Sequence, residues 1–280
     1  MYAFAHIDKT AGRTVRAVLR RSFGAGHCEI RTPYARRTGD RNDRSVSVTG
    51  DELRRVQRIY RHLRGIAGHN VKPYSDLATA CPQIRYFTFL RNPVDRYLSH
   101  YKNKAQAYDR ADFDRWAEQE SMRDFQTRTL AGEANLHKAI DLIAQRVGFV
   151  GLTEAVDESL LMLGQWLGDP DFRPEYRPVN RLADKERARD VARAQADLSY
   201  LDAPEVRDRL MELNALDQQL YDFAVREHFA RHRQAYTGDL AADVAALRQR
   251  NQQVTDWCEP LSGRLLCNWV YKPALVLRLA

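Results

Sequence analysis

The sequence predicts an α/β fold: a central, mainly parallel sheet flanked by helices, with a helix-rich C-terminal half. Three observations carry this. Short apolar runs at 2–7, 65–68, 84–90 and 147–152 read as buried strands. Helical patterns alternate with them, which is how parallel strands are connected. The first three runs each empty into a polar turn (Asp8-Lys9-Thr10, His69-Asn70, Arg91-Asn92), and such turns converge beyond the carboxyl ends of parallel strands, where ligands bind.

Taken in order, Tyr2 to Ile7 is followed by a helix over Arg13 to Phe23, with Val15, Val18, Leu19 and Phe23 on one side. Arg31 to Asp51 is rich in Arg, Asp, Thr and Gly and reads as a long loop, after which Asp51 to Arg64 resumes a helical pattern. Pro93 suits the first turn of a helix carrying Val94, Tyr97, Leu98 and Tyr101. Phe113 to Gln145 is helical in pattern, and Thr153 to Leu167 reads as a helix capped by Thr153. Gly168 to Leu182 reads as a proline-rich loop, with helices over Lys185 to Ala196 and Pro204 to His232 and one more in the tail beyond Gly238. We expect one domain over 1–237 and a helical extension over 238–280 that packs on it.

The chain has 280 residues, 44% of them hydrophobic, and a net charge of +7. Its mean hydropathy of -0.58 suits a soluble protein. Much of the positive charge is arginine, whose planar fork matches carboxylate, phosphate and sulfate oxygens. No run is long enough for a membrane span, and the N-terminus passes into Lys9 and Arg13 without a signal-peptide core, so a cytoplasmic location is expected. The four cysteines, Cys28, Cys81, Cys258 and Cys267, form no CxxC pair, so no metal site is expected. Cys258 and Cys267 could meet across the turn at 260–263, or stay reduced, the ordinary state in a cytosol.

The turn from Lys9 to Thr14 opens a helix. First-turn amides lack intrahelical partners and carry the positive end of the dipole, so an anion fits there. Lys9 precedes Gly12, which excludes the GxxxxGK[ST] order of a Walker A loop. The competing reading is a plain connection with Lys9 in solvent and a threonine cap. Arg91 at a strand end and Ser99 two turns into the next helix form a second candidate anion grip; the plainer reading pairs Arg91 with Asp95. His6 reads as strand core, His100 as a solvated helix position, Arg96 as a brace and Glu154 as a carboxylate at a helix N-terminus. Asn180 and Arg181 sit in a loop that either closes over a ligand or stays at the surface.

The chain resembles the sulfotransferases that use 3'-phosphoadenosine 5'-phosphosulfate (PAPS), particularly the carbohydrate, uronosyl 2-O-like branch with a HIPKTAGT-type opening, as a bacterial-looking soluble member. The matching segments are HIDKTAGRT at 6–14, GHN at 68–70, FTFLRNPVDRYLSHY at 87–101, FQTRTLAG at 125–132, FVGLTEAVDESLLMLGQWLG at 149–168, RPVN at 177–180 and NALDQQLYDFA at 214–224. The resemblance implies a P-loop-like three-layer fold and PAPS as co-substrate, with no metal. It implies that Lys9, Thr10, Ala11, Gly12, Arg13 and Thr14 surround the 5'-phosphosulfate, with Lys9 neutralising the leaving phosphate. It implies that Arg91 and Ser99 hold the 3'-phosphate and that His69 is the general base. Asp8 stands where the family has proline and Arg13 where it has a small hydroxyl residue.

Sulfuryl transfer needs an in-line nucleophile and a stabilised leaving group, so positioning and charge dominate. Imidazole changes protonation near neutral pH and suits removal of a hydroxyl proton. Gln126 and Arg128 are candidate acceptor contacts. The expected partner is a glycan or other hydroxyl acceptor. A small metabolite or lipid head group is the alternative acceptor, and a nucleic-acid-binding protein is an alternative of another class. Against the last, basic and acidic residues are interspersed, and no nucleic-acid motif is present.

Overall fold

The computed structural model describes residues 1–31, 46–104, 109–177, 197–254 and 260–277. The loop expected over 32–45, the helix over Lys185 to Ala196, and Asn180, Arg181 and Cys258 lie outside the described residues. Five strands, β1 (Tyr2–Ala5), β2 (His27–Glu29), β3 (Gly65–Gly68), β4 (Arg85–Leu90) and β5 (Val147–Leu152), form a parallel sheet in the order β2-β3-β1-β4-β5.

β1 is central and buried along its whole length. Phe4 stacks on Phe87 with ring centroids 4.8 Å apart, and burial of such a side chain stabilises by about 1.5–3 kcal/mol. Gly65 has no side chain because the Tyr2 ring occupies the space: a Cβ there would lie 2.2 Å from a ring carbon. Helix α1 (Gly12–Phe23) buries the four apolar residues its periodicity marked, Val15, Val18, Leu19 and Phe23. The register pairs Ala5 with both Gly68 and Thr88, which brings the carboxyl ends of β1, β3 and β4 to one rim.

Helix α2 (Gly50–Ile59) ends earlier than its pattern suggests, because Tyr60 turns into the core; at its start Thr49 and Glu52 form a reciprocal capping box. Helix α3 (Pro93–Lys104) follows β4 as expected. The helical run expected over Phe113 to Gln145 is instead broken into α4 (Arg110–Glu118), a 3-10 turn, α5 (Phe125–Ala131) and α6 (Leu136–Arg146). The breaks sit at Asp124 and Gly132, both with left-handed backbone. Asp124 uses that bend to aim its carboxylate at the amides of Leu216 and Asp217.

Thr153 does not cap α7 (Val156–Leu167): its amide and hydroxyl both donate to the Leu90 carbonyl, extending the β4–β5 pairing by one residue. The helix expected over Pro204 to His232 is split at Asn214 into α8 (Pro204–Leu213) and α9 (Ala215–Phe223). A π turn (Ala224–Phe229) then leads into α10 (Ala230–Gln234). The tail holds α11 (Leu240–Gln253), and α12 (Leu261–Leu265) joined through a π turn (Leu266–Tyr271) to α13 (Lys272–Val276). The expectation for His100 is also overturned. It is buried, its ring edge-on to Trp116 and Phe125.

Candidate functional site

The β1–α1 turn is held in an unusual backbone conformation. Lys9 (φ 71°) and Ala11 (φ 58°) are both left-handed, a geometry that costs non-glycine residues roughly 1–3 kcal/mol each. α1 has no side-chain cap, and its first helical bond runs from the Val15 amide to the Ala11 carbonyl. The amides of Gly12, Arg13 and Thr14 therefore have no acceptor within the helix. Thr10 is fully buried and its hydroxyl donates to the Ile7 carbonyl at 3.0 Å, which fixes the turn. Its contribution to a ligand is thus through the backbone. Arg13 is exposed; Lys9 and Thr14 are half-buried.

Two histidine rings lie under and beside this turn. His6 is buried as a strand residue, and its Nε2 packs on Gly12 so closely that a Cβ there would sit 1.6 Å away. Burial holds the His6 pKa well below the ordinary value, with His69, Arg16 and Lys72 adding to the effect, so the ring is neutral. His69 stacks on it at 4.0 Å between centroids. The His6 carbonyl lies 3.1 Å from His69 Nδ1 and accepts the proton there, which leaves Nε2 as the basic nitrogen. Nε2 lies 3.6 Å from an Asp8 carboxylate oxygen, and the His69 side chain is 47% exposed. The arrangement is a half-exposed imidazole with a fixed tautomer beside an uncapped helix N-terminus.

Arg91 reaches this turn from β4: its Nη1 lies 3.4 Å from the Lys9 carbonyl, and its pairing is with that turn rather than with Asp95, which meets Arg207. Its backbone is clamped on both sides by Gln126, whose Oε1 accepts from the Arg91 amide at 3.0 Å and whose Nε2 donates to the Arg91 carbonyl at 2.8 Å. Gln126 is fully buried, and both ends of its side-chain amide are spent on the Arg91 backbone. Arg128 points to Glu120 at 2.9 Å. Ser99 is half-buried on α3, two turns beyond Arg91. Glu154 serves α3 rather than α7, accepting from the Asn92 amide at 2.8 Å and from the Tyr221 hydroxyl at 3.1 Å.

Two buried residues of opposite charge, Arg96 and Asp217, lie behind these elements. Arg96 is fully buried, its guanidinium over the Phe125 ring at 4.2 Å. Burial pushes its pKa down to about 10, against the attraction of Asp217 and Asp8. Asp217, also fully buried, accepts from the amides of Gln126 and Thr127 at 2.9 and 2.7 Å and so caps α5. Burial raises its pKa, with Arg96 and these amides opposing. Asp217, Asp8 and the clamping role of Gln126 are the parts of the site that sequence reasoning missed. Each acts across 35 to 91 residues of chain or through a neighbouring turn, separations that no local pattern marks.

The turn thus combines first-turn amides with no side-chain cap, a lysine, and a glycine whose missing side chain lets the His6 ring pack against it, and such a helix N-terminus suits an anion. Among the described residues no cluster of His, Cys, Asp and Glu suits a metal ion. Compared with known proteins, the sequence profile of the Sulfotransferase family matches residues 2–224, from β1 through the start of the π turn after α9. Among curated proteins none matches.

Proposed function

The chain belongs to the sulfotransferase family, and from that premise we propose that it moves a sulfuryl group from PAPS to a hydroxyl of a carbohydrate acceptor, with His69 as general base and Lys9 stabilising the leaving phosphate. The observation that carries this reading is the left-handed, uncapped β1–α1 turn with His69 held beside it.

PAPS supplies an activated sulfuryl group on a phosphate leaving group. The amides of Gly12, Arg13 and Thr14, the Thr10 and Ala11 backbone and the Lys9 ammonium bind the phosphosulfate end, and Arg91 with Ser99 holds the 3'-phosphate. His69 Nε2 takes the acceptor's hydroxyl proton; Nδ1 stays bonded to the His6 carbonyl, so the ring does not turn as it becomes charged. Asp8 places a carboxylate oxygen 3.6 Å from Nε2. Residues 1–237 form the transfer domain, cytoplasmic in location, and 238–280 a helical extension packed on it, in part through Tyr271 against Tyr60.

The test is transfer from PAPS, detected by mass, across glycans, small alcohols and phenols. A sulfated glycan supports the reading. Sulfation of small alcohols or phenols alone moves the acceptor to the metabolite class. No transfer, no affinity for adenosine 3',5'-bisphosphate and salt-dependent DNA binding would replace the enzyme with a nucleic-acid-binding protein.

A further inference from the structure

We propose that the C-terminal helix, Leu261 to Val276 with Leu277, is a peripheral docking surface for an anionic lipid bilayer. The inference rests on exposure and charge in this segment and is independent of the reaction above. Gly263, Tyr271 and Leu275 are buried against the body of the protein. On the outward side Leu261 (70% exposed), Leu265 (54%), Trp269 (76%), Val276 (67%) and Leu277 (66%) stand in solvent, with Val270 at the margin. These are most of the exposed large hydrophobic residues among those described; Met211 is the other.

The continuity of this face depends on the π turn over Leu266–Tyr271. A wider turn advances each residue by less than the 100° of an α-helix, so Trp269 stays in line with Leu261 and Leu265 before the chain returns to α geometry in α13. The polar flank is basic. Between Pro260 and Leu277 the segment carries Arg264 and Lys272, eight residues apart and both exposed, and no acidic residue. Tryptophan and leucine on one face with arginine and lysine beside them is the composition of a helix that lies in the headgroup region of anionic lipids. The protein's overall charge of +7 has the complementary sign.

A second copy of this chain fits less well. A two-fold contact on this face brings the Arg264–Lys272 flank against its own symmetry mate with no acid from the segment to neutralise it. Nor is this a membrane span: among the described residues no helix is long and apolar enough to cross a bilayer. The helix lies along the β2 edge, with Gly263 on Gly24 at one end and the Tyr271 hydroxyl accepting from the Arg31 amide at the other. Arg31 follows the carboxyl end of β2, so the buried side of the segment is anchored at that end of the sheet.

The experiment is co-sedimentation of the full chain with phosphatidylcholine vesicles, with and without phosphatidylserine. Binding to the phosphatidylserine vesicles, weakened by salt, is expected. Trp269→Ser should reduce it at least about tenfold, and Arg264→Gln and Lys272→Gln about fivefold each. Urea midpoints check that the variants fold; should Trp269→Ser shift its midpoint, Leu261→Ser takes its place. Failure to bind phosphatidylserine vesicles overturns the proposal, as does binding that none of these substitutions weakens. A dimer in light scattering that Trp269→Ser dissociates, without vesicle binding, would assign the face to a second copy instead.

Discussion

Two strand-to-helix turns on the same rim of the sheet end their helices in opposite ways. After β4, the turn into α3 satisfies itself: the Asn92 side chain accepts from the Asp95 amide at 3.2 Å, Glu154 takes the Asn92 amide, and Gln126 takes both backbone groups of Arg91. After β1, the turn into α1 has no side-chain cap, and it carries two residues in left-handed conformations. Both are helix N-termini with equal intrinsic attraction for negative charge. The first spends that attraction on side-chain carboxylate and amide groups and so fixes Arg91; the second meets no side-chain cap. On the proposed function, the capped terminus positions a side chain and the uncapped one binds the ligand through its backbone.

That contrast is open to attack at both turns. The largest effects should fall on the uncapped one. Lys9→Ala is expected to lower the transfer rate about 10²- to 10³-fold and His69→Ala about 10²- to 10⁴-fold, with His69→Ala keeping its affinity for adenosine 3',5'-bisphosphate in calorimetry; full activity in either variant removes the assigned role. Gly12→Ala is next. Its Cβ must displace His6, so we expect a stability loss of about 1–3 kcal/mol in urea unfolding together with weaker bisphosphate binding. Normal binding in that variant would mean that the close packing of Gly12 on His6 is dispensable.

A smaller effect comes from pH. Burial depresses the pKa of His6, takes that of His27 to about 3 and that of His228 to about 4, from an ordinary 6.5. Above pH 6.5 these rings are neutral whether the chain is folded or not. Below it the unfolded chain takes up protons that the fold refuses, so stability present at higher pH is lost as pH falls, by up to about 1.4 kcal/mol per pH unit for each ring. Urea midpoints at pH 6.5 and pH 5 measure this slope, and His27→Gln should lower it, with His6, His228 and His232 supplying the rest; a flat profile would show that these rings are not held neutral. The smallest effect belongs to the capped turn, where Glu154→Ala should cost about 1 kcal/mol of stability and leave the transfer rate intact. A rate loss larger than the stability loss would blur the distinction between the two turns.

The sheet and the rim were legible in the sequence wherever the signal was local. β1, β3, β4 and β5 are continuous apolar runs ending in polar turns, and at HIDKTAGRT the residues alone leave a plain connection open until the family resemblance is set beside them. β2 was not foreseen, since three residues, His27 to Glu29, are too short for a period to register. The broken helices fail for a different reason. Asp124 and Asn214 look permissible inside a helical pattern, and only the docking of Asp124 on the amides of Leu216 and Asp217 makes a break there favourable. In the same way the clamp of Gln126 on Arg91 leaves no mark in the sequence, and Thr153 resembles a cap until β4 is beside it. Side chains with two plausible hydrogen-bonding partners are decided by tertiary neighbours, which a linear pattern does not contain.

The central place of β1 also sets a timetable. β1 precedes both of its partners in the chain: Tyr2 pairs with Gly65 on one side and Arg85 on the other. The apolar Tyr-Ala-Phe-Ala segment therefore waits for both partners to be made, and at roughly 5–20 residues per second that is a delay of several seconds. Pairings this distant also make for slow folding. During synthesis the strand at the centre of the finished sheet stands unpaired until β3 and β4 follow it, and a chaperone that holds β1 over that interval is expected to raise the yield of folded protein.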